Sequence, residues 1–128
     1  MSEEKTVSMV TGGSRGIGRA ICLALAKPGD VVVFKETVKL LEEKGVTALG
    51  RKFDVSDPEQ VGGFIAEVVE KYGRLDNLVN NAGITMDALM VRMSLEQFER
   101  VIKVNLTGAF VCMQAAAKVM MKQRSGSI

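Results

Sequence analysis

The sequence contains no histidine. Imidazole acid–base chemistry and histidine-ligated metal sites are therefore excluded. Cysteine is scarce: only Cys22 and Cys112 occur, far apart in the chain. Neither a disulfide framework nor a four-cysteine zinc site can be built from them, and no metal site is expected. Each lies in an apolar helical pattern, where a small buried hydrophobe is the expected role. Tyrosine occurs once, at Tyr72. Charge of one sign is not in excess: 17 Lys and Arg against 15 Asp and Glu leave a net +2. That is too little to point to nucleic acid or an anionic membrane. The longest uncharged stretch, Val104 to Ala117, contains Asn105, Thr107 and Gln114 and is too short to span a bilayer. The N-terminus, Met1-Ser2-Glu3-Glu4-Lys5, is polar and unlike a signal peptide. A cytoplasmic protein is the expectation, with neither nucleic acid nor membrane as partner.

What remains is an ordinary globular composition, 47% hydrophobic and 25% charged over 128 residues, which suits one domain spanning residues 1–128. Val7 to Thr11 reads as a buried strand running into the glycine-rich stretch Thr11-Gly-Gly-Ser-Arg-Gly-Ile-Gly18. Ile17, Ala20, Ile21, Ala24 and Leu25 then repeat at helical spacing, closed by Pro28-Gly29. Val31 to Phe34 is a strand covered on both faces. A short helix around Val38, Leu40 and Leu41 ends at Gly45, and Ala48 to Val55 carries a third strand. Asp57-Pro58 starts a helix to about Tyr72, Leu78-Val79 is a fourth strand, and Ser94 with Gln97 opens a helix in capping-box fashion. That last helix runs to about Arg124, with an irregularity expected near Gly108. Ser127-Ile128 begins a fifth strand.

Alternating short strands and helices imply a doubly wound α/β fold, a parallel sheet of order 3-2-1-4 with helices on both faces. Ligands bind beyond the carboxyl ends of such strands. The glycine loop, Phe34-Lys35-Glu36 and Asn80-Asn81-Ala82-Gly83 all fall there. At a helix N-terminus, unpaired N–H groups and the helix dipole favour phosphate. Gly12 and Gly16 let the backbone turn toward a pyrophosphate, and Gly18 lets the helix pack closely on the first strand.

The spacing Thr-Gly-x-x-x-Gly-x-Gly resembles the short-chain dehydrogenase/reductase family. Asn80-Asn81-Ala82-Gly83 matches that family's hallmark after the fourth strand, and Asp54-Val55 its adenine-contacting pair. Gly83 to Met93 and Lys103 to Ile128 resemble 3-oxoacyl-acyl-carrier-protein reductases within it. The resemblance implies a Rossmann fold and NADPH-dependent reduction of a 3-oxoacyl thioester in fatty-acid synthesis. It implies cofactor contacts from Thr11, Gly12, Ser14, Arg15, Gly16, Ile17, Gly18, Asp54, Val55, Asn81, Ala82 and Gly83. Arg15 suits the 2′-phosphate of NADP over NAD, since a guanidinium pairs with two phosphate oxygens. Lys35 either assists it or is a solvated loop charge. Asn105 matches the catalytic asparagine that helps hold a proton-relay water. Arg124 matches a position facing the acyl carrier protein, although a helix C-terminus attracts an arginine equally well. The likeness also implies a homo-oligomer paired through long helices; the Met-rich face of Met113, Met120 and Met121 reads first as packing and second as a subunit interface.

The family's catalytic serine and Tyr-x-x-x-Lys find no match: Asp76, not lysine, stands four residues after Tyr72. The sequence stops where the serine-bearing strand begins, and only ten residues separate Phe34 from Gly45, where the family has a fuller helix. The expectation is a cofactor-binding half of a reductase, the alternative being a truncated nucleotide-binding fragment without turnover. For the truncated chain by itself, an uncovered face on the last helix, built from Phe110, Met113, Ala117 and Met120, is expected, with Leu78-Val79 at or near an open sheet edge and self-association or a partly molten state as the consequence.

Overall fold

The computed structural model describes residues 6–12, 16–25, 31–34, 47–51 and 53–128. Four strands, β1 (Val7–Val10), β2 (Val31–Phe34), β3 (Thr47–Gly50) and β4 (Asn77–Val79), form one sheet in the order β3-β2-β1-β4. Every pairing is parallel, with Val7 opposite Val31, Val31 opposite Thr47 and Met9 opposite Leu78. The expected order and direction are therefore present. All four residues of β1 are buried, which a central strand needs when helices cover both its faces. Side chains alternate across a strand. Val7 and Met9 join the main apolar cluster, while Cys22 of helix α1 (Gly16–Leu25) is buried outside it.

Helix α2 (Pro58–Tyr72) starts where the sequence indicated. The Asp57 carboxylate accepts from the Glu59 and Gln60 amides, and Pro58 fills the first turn. Its C-terminus ends on Gly73 at φ 78°, with the Gly73 amide donating to Val69. Val61, Phe64, Ile65 and Val68, spaced to one helical face, are buried. Phe64 stacks on Phe53 with centroids 4.8 Å apart.

A 3₁₀ turn, Met90–Arg92, precedes a long helical run in three parts: α3 (Leu95–Ile102), a π segment (Lys103–Thr107) and α4 (Gly108–Gln123). The Ser94–Gln97 capping box is present in both directions. The irregularity lies just before Gly108, where the Gly108 amide donates to the Lys103 carbonyl. Gly108 has its own reason to be glycine: a Cβ there would come within 2.7 Å of Val55 Cγ2. Helix α4 packs beside α2 and buries Val111, Cys112, Ala116 and Met120. By length and composition Leu95–Gln123 could cross a membrane; here its second half, α4, packs one face against α2.

Three expectations are corrected. The third strand is Thr47–Gly50 and not Ala48–Val55, because Asp54 folds the chain into a turn, its carboxylate accepting from the Ser56 amide and hydroxyl. Met120 is buried, as its packing role implies but against the uncovered-face expectation, and the Gly126 backbone at φ 147° covers it; Phe110 and Met113 are exposed, as the uncovered face implies. Met121, expected to pack, is 77% exposed. The closing Pro28-Gly29, the helix around Val38 to Leu41 and the segment after Phe34 lie outside the described residues.

The sheet's far edge is partly closed by the chain end. Ser127 forms a parallel bridge with Asn77, accepting from the Leu78 amide and donating to the Asp76 carbonyl, both at 2.9 Å. Asp76 also grips β1, accepting from the Val7 amide at 2.8 Å while Arg74 chelates its carboxylate.

Candidate functional site

The carboxyl ends of β1 and β4 lie side by side, and one hydroxyl joins the loops that leave them. Thr11 Oγ1, on a residue only 2% exposed, accepts from the Asn81 amide at 3.0 Å and the Ala82 amide at 2.9 Å. The Thr11 amide donates to Val79, and Asn81 Nδ2 returns a bond to the Gly12 carbonyl at 3.1 Å. Two loops about seventy residues apart in sequence thus share four hydrogen bonds. Gly12 adopts φ 69°, a region that disfavours side chains, and its Cβ would approach Ala82 Cα to 3.1 Å. At Gly18 a Cβ would overlap the Gly12 carbonyl oxygen and Asn81 Nδ2. Both glycines are therefore required by close backbone approach. Gly16 opens α1, whose first amides have no intrahelical acceptor. Ile17 beside it is 74% exposed.

A second clamp extends the same edge. Asn105, inside the π segment, accepts from the Ile84 amide at 2.8 Å and donates to the Ile84 carbonyl at 2.9 Å. Gly83 leaves room for it, since a Cβ there would sit 3.2 Å from Asn105 Oδ1. Asp54, four residues past the end of the third strand, lines a cavity of about 600 Å³ with Phe53, Ser56, Gln60, Arg100 and Val104. Val55 is buried in the core against Gly108, so its side chain points away from that cavity's solvent.

The structure thus brings Thr11, Gly12, Gly18, Asn81 and Ala82 into one cluster and Gly83 and Asn105 into the next. Val55 packs on Gly108, three residues past Asn105, and Asp54 shares its cavity with Val104. Ser14, Arg15 and Lys35 lie outside the described residues. Ile84 was not legible as a site residue, because it contributes only its backbone, which no side-chain pattern announces.

Among the described residues, three titratable groups are shifted by burial. Burial pushes the Cys22 and Cys112 thiols up to about 11, which leaves them protonated and unreactive. Tyr72, at the end of α2, has its hydroxyl pKa raised by burial, opposed by the Arg51 charge and reinforced by Glu67. An acid catalyst needs the opposite shift. Arg124 sits at the far end of α4, in the left-handed region at φ 60°, ψ 29°.

The model of the family "short chain dehydrogenase" matches residues 6–128. The 3-oxoacyl-[acyl-carrier-protein] reductase of Synechocystis sp. is 43% identical over 131 positions, covering 95% of this chain and 53% of that protein. The reductase FabG of Thermotoga maritima is 42% identical over 136 positions, covering all of this chain and 55% of that protein. In structure, "ElxO with NADP Bound" superimposes with a TM-score of 0.81 at 33% identity, over 95% of this chain and 53% of that one. The chain spans about half the length of these relatives. With the glycine-rich turn, the Asn-Asn-Ala-Gly loop latched to it and a match over nearly every residue, the chain belongs to the short-chain dehydrogenase family.

Proposed function

We propose that these residues form the nucleotide-binding half of an NADPH-dependent 3-oxoacyl-acyl-carrier-protein reductase acting in the cytoplasm. The observation that carries this reading is the latched pair of loops at the carboxyl ends of β1 and β4. There Gly12 and Gly18 let the two loops and the first turn of α1 pack against one another where a Cβ would not fit. Such a cradle suits a dinucleotide, whose pyrophosphate needs close backbone approach and the open amides of a helix N-terminus. The relatives' 41–43% identity supports the choice of substrate class.

When bound, the nicotinamide would supply the hydride for the carbonyl carbon. This chain's residues have supporting tasks. Thr11, Gly12, Ser14, Gly16, Ile17 and Gly18 would hold the pyrophosphate, and Arg15, assisted by Lys35, the 2′-phosphate. Asp54 and Val55 would meet the adenine. Asn81, Ala82 and Gly83 would wall the site, with Asn105 fixing the Ile84 backbone and helping to hold a relay water. Reduction also needs a proton donor, and Tyr72 is not placed to be one. Arg124 would contact the acidic acyl carrier protein. It keeps a cationic side chain at a left-handed cap position where glycine is preferred. The exposed side chains on α3 and α4 would pair copies into a homo-oligomer.

The test is calorimetry with both cofactors. Arg15→Ala should weaken NADPH by about 1–3 kcal/mol, the worth of a charge-assisted bond, and NADH much less. Equal losses would remove Arg15 from the 2′-phosphate role.

A further inference from the structure

We infer that Gln60 is a positioning residue that makes the site selective for adenine, by holding the Asp54-Val55-Ser56 turn through which the base is read; this rests on the dinucleotide reading above. The turn is tied internally. Asp54 Oδ1 accepts from the Ser56 amide at 2.9 Å and the Ser56 hydroxyl at 2.7 Å, and the Asp57 amide donates to the Asp54 carbonyl at 3.1 Å. None of these bonds reaches into α2. Gln60 supplies that link: its Oε1 accepts from the Asp54 amide at 2.9 Å and its Nε2 donates to Asp57 Oδ2 at 3.0 Å. An amide proton needs an acceptor and a carboxylate a donor, so the Gln60 side chain satisfies both in one orientation only.

The helix cap does not need this bridge. Asp57 Oδ1 already accepts from the Glu59 and Gln60 amides, at 3.0 and 3.4 Å. Nor does the core, since Gln60 is exposed. What the bridge secures is one wall of the cavity, where Gln60 and Asp54 stand together with Val104, the neighbour of the clamped Asn105. The first turn of α2 has little stiffness of its own to offer. Gly63 follows it, glycine is a poor helix former, and nothing within 4 Å of a Cβ there requires one. Adenine carries an amino group that can donate to Asp54. Hypoxanthine carries a carbonyl oxygen in its place and sets acceptor against acceptor. A turn held in place by Gln60 makes that difference count.

Calorimetry on the 128-residue chain, comparing NADPH with its hypoxanthine analogue, tests this alongside urea denaturation of each variant. Wild type should favour adenine by about tenfold, the worth of one hydrogen bond to a charged acceptor. Gln60→Met removes both bonds and should cut the preference to about twofold or less. Asp57→Asn combined with Gln60→Glu reverses the polarity of the bond between the two side chains. It keeps an acceptor for the Asp54 amide and for the cap, and should restore the preference. Gly63→Ala in the Gln60→Met background should raise the denaturation midpoint and leave the preference lost. A merely structural role predicts the opposite: Gln60→Met weakens both dinucleotides equally, and Gly63→Ala recovers both. That pattern, or a wild type indifferent to the base, would overturn the inference. Failure of wild type to bind either dinucleotide would instead remove the dinucleotide reading itself, and this inference with it.

Discussion

Replacing Thr11 with valine preserves the shape of the side chain and deletes the oxygen that joins the two site loops. Two amide donors, Asn81 N and Ala82 N, would lose their acceptor at once. The hydroxyl is 2% exposed, so water cannot simply take its place. A buried donor left unpaired costs about 1–3 kcal/mol. Asn81 and Ala82 are themselves half-buried, so the lower end of that range applies, about 1 kcal/mol for each. The expected loss is about 2 kcal/mol, or a fall in Tm of roughly 8 °C for a domain of this size. Urea denaturation of wild type, Thr11→Val and Thr11→Ser measures it. Serine keeps the oxygen and should recover most of the loss. Nucleotide affinity should fall with stability in the valine variant, because the loops that form the cradle are no longer registered. A valine variant within about 0.5 kcal/mol of wild type would refute the assigned role of the hydroxyl.

Arg124→Gly should stabilise the fold by about 0.5–1 kcal/mol, since a non-glycine residue at φ 60° is strained by about 1–2 kcal/mol and glycine gives part of that back as unfolded-chain entropy. Chemical denaturation will show whether the midpoint rises; a fall would mean the arginine side chain makes a stabilising contact. Gly18→Ala should cost about 1–3 kcal/mol through overlap with Gly12 and Asn81, and weaken NADPH binding at least tenfold, checked by calorimetry. The two thiols predict an alkaline limit. Below pH 9 folded and unfolded chains both keep them protonated and stability is flat. Between pH 9 and about 11 only the unfolded chain releases the protons, so stability falls by up to ~1.4 kcal/mol per pH unit for each thiol. Denaturation midpoints across that range test this. At pH 8 a thiol reagent should label Cys22 and Cys112 only as fast as the chain opens.

Much of this architecture is legible locally. Asp57-Pro58, Ser94-x-x-Gln97 and the glycine turn each announce a backbone event through residues that act within four positions of themselves. The strand order follows because right-handed crossovers leave few alternatives. What escaped the sequence depends on distant partners. Asp76 binds Val7, 69 residues away, and Gln123 binds Leu75, 48 away, with no local pattern to mark either. Met120 reads as one of an exposed row until Gly126 folds back over it. The third strand ended early for a reason that was local: Asp54-Val55-Ser56 looks like strand by its valine, but the flanking hydroxyl and carboxylate close a turn. In the site, the asparagines and glycines were legible by type, whereas the hydroxyl of Thr11 as the joint between them was not.

The run from Asn105 to Gln123 is fastened at both ends to the flanks of a single strand. Asn105 holds the residue backbone beyond β4, and the Gln123 amide holds the one before it, accepting from Leu75 N and donating to Leu75 O at 2.8 Å each. A helix pinned twice in this way behaves as a ruler with a fixed phase. Removing one residue from α4 would shorten it by about 1.5 Å and turn one end by about 100° against the other, so both amides could not stay seated. The π segment, with its wider turn, is where that phase is set. The extra residue there lets Asn105 face Ile84 while Val111, Cys112 and Ala116 still face the sheet. Chain length between the two clamps should therefore vary among functional variants of this fold only by compensated steps, an insertion in one half answered by a deletion in the other.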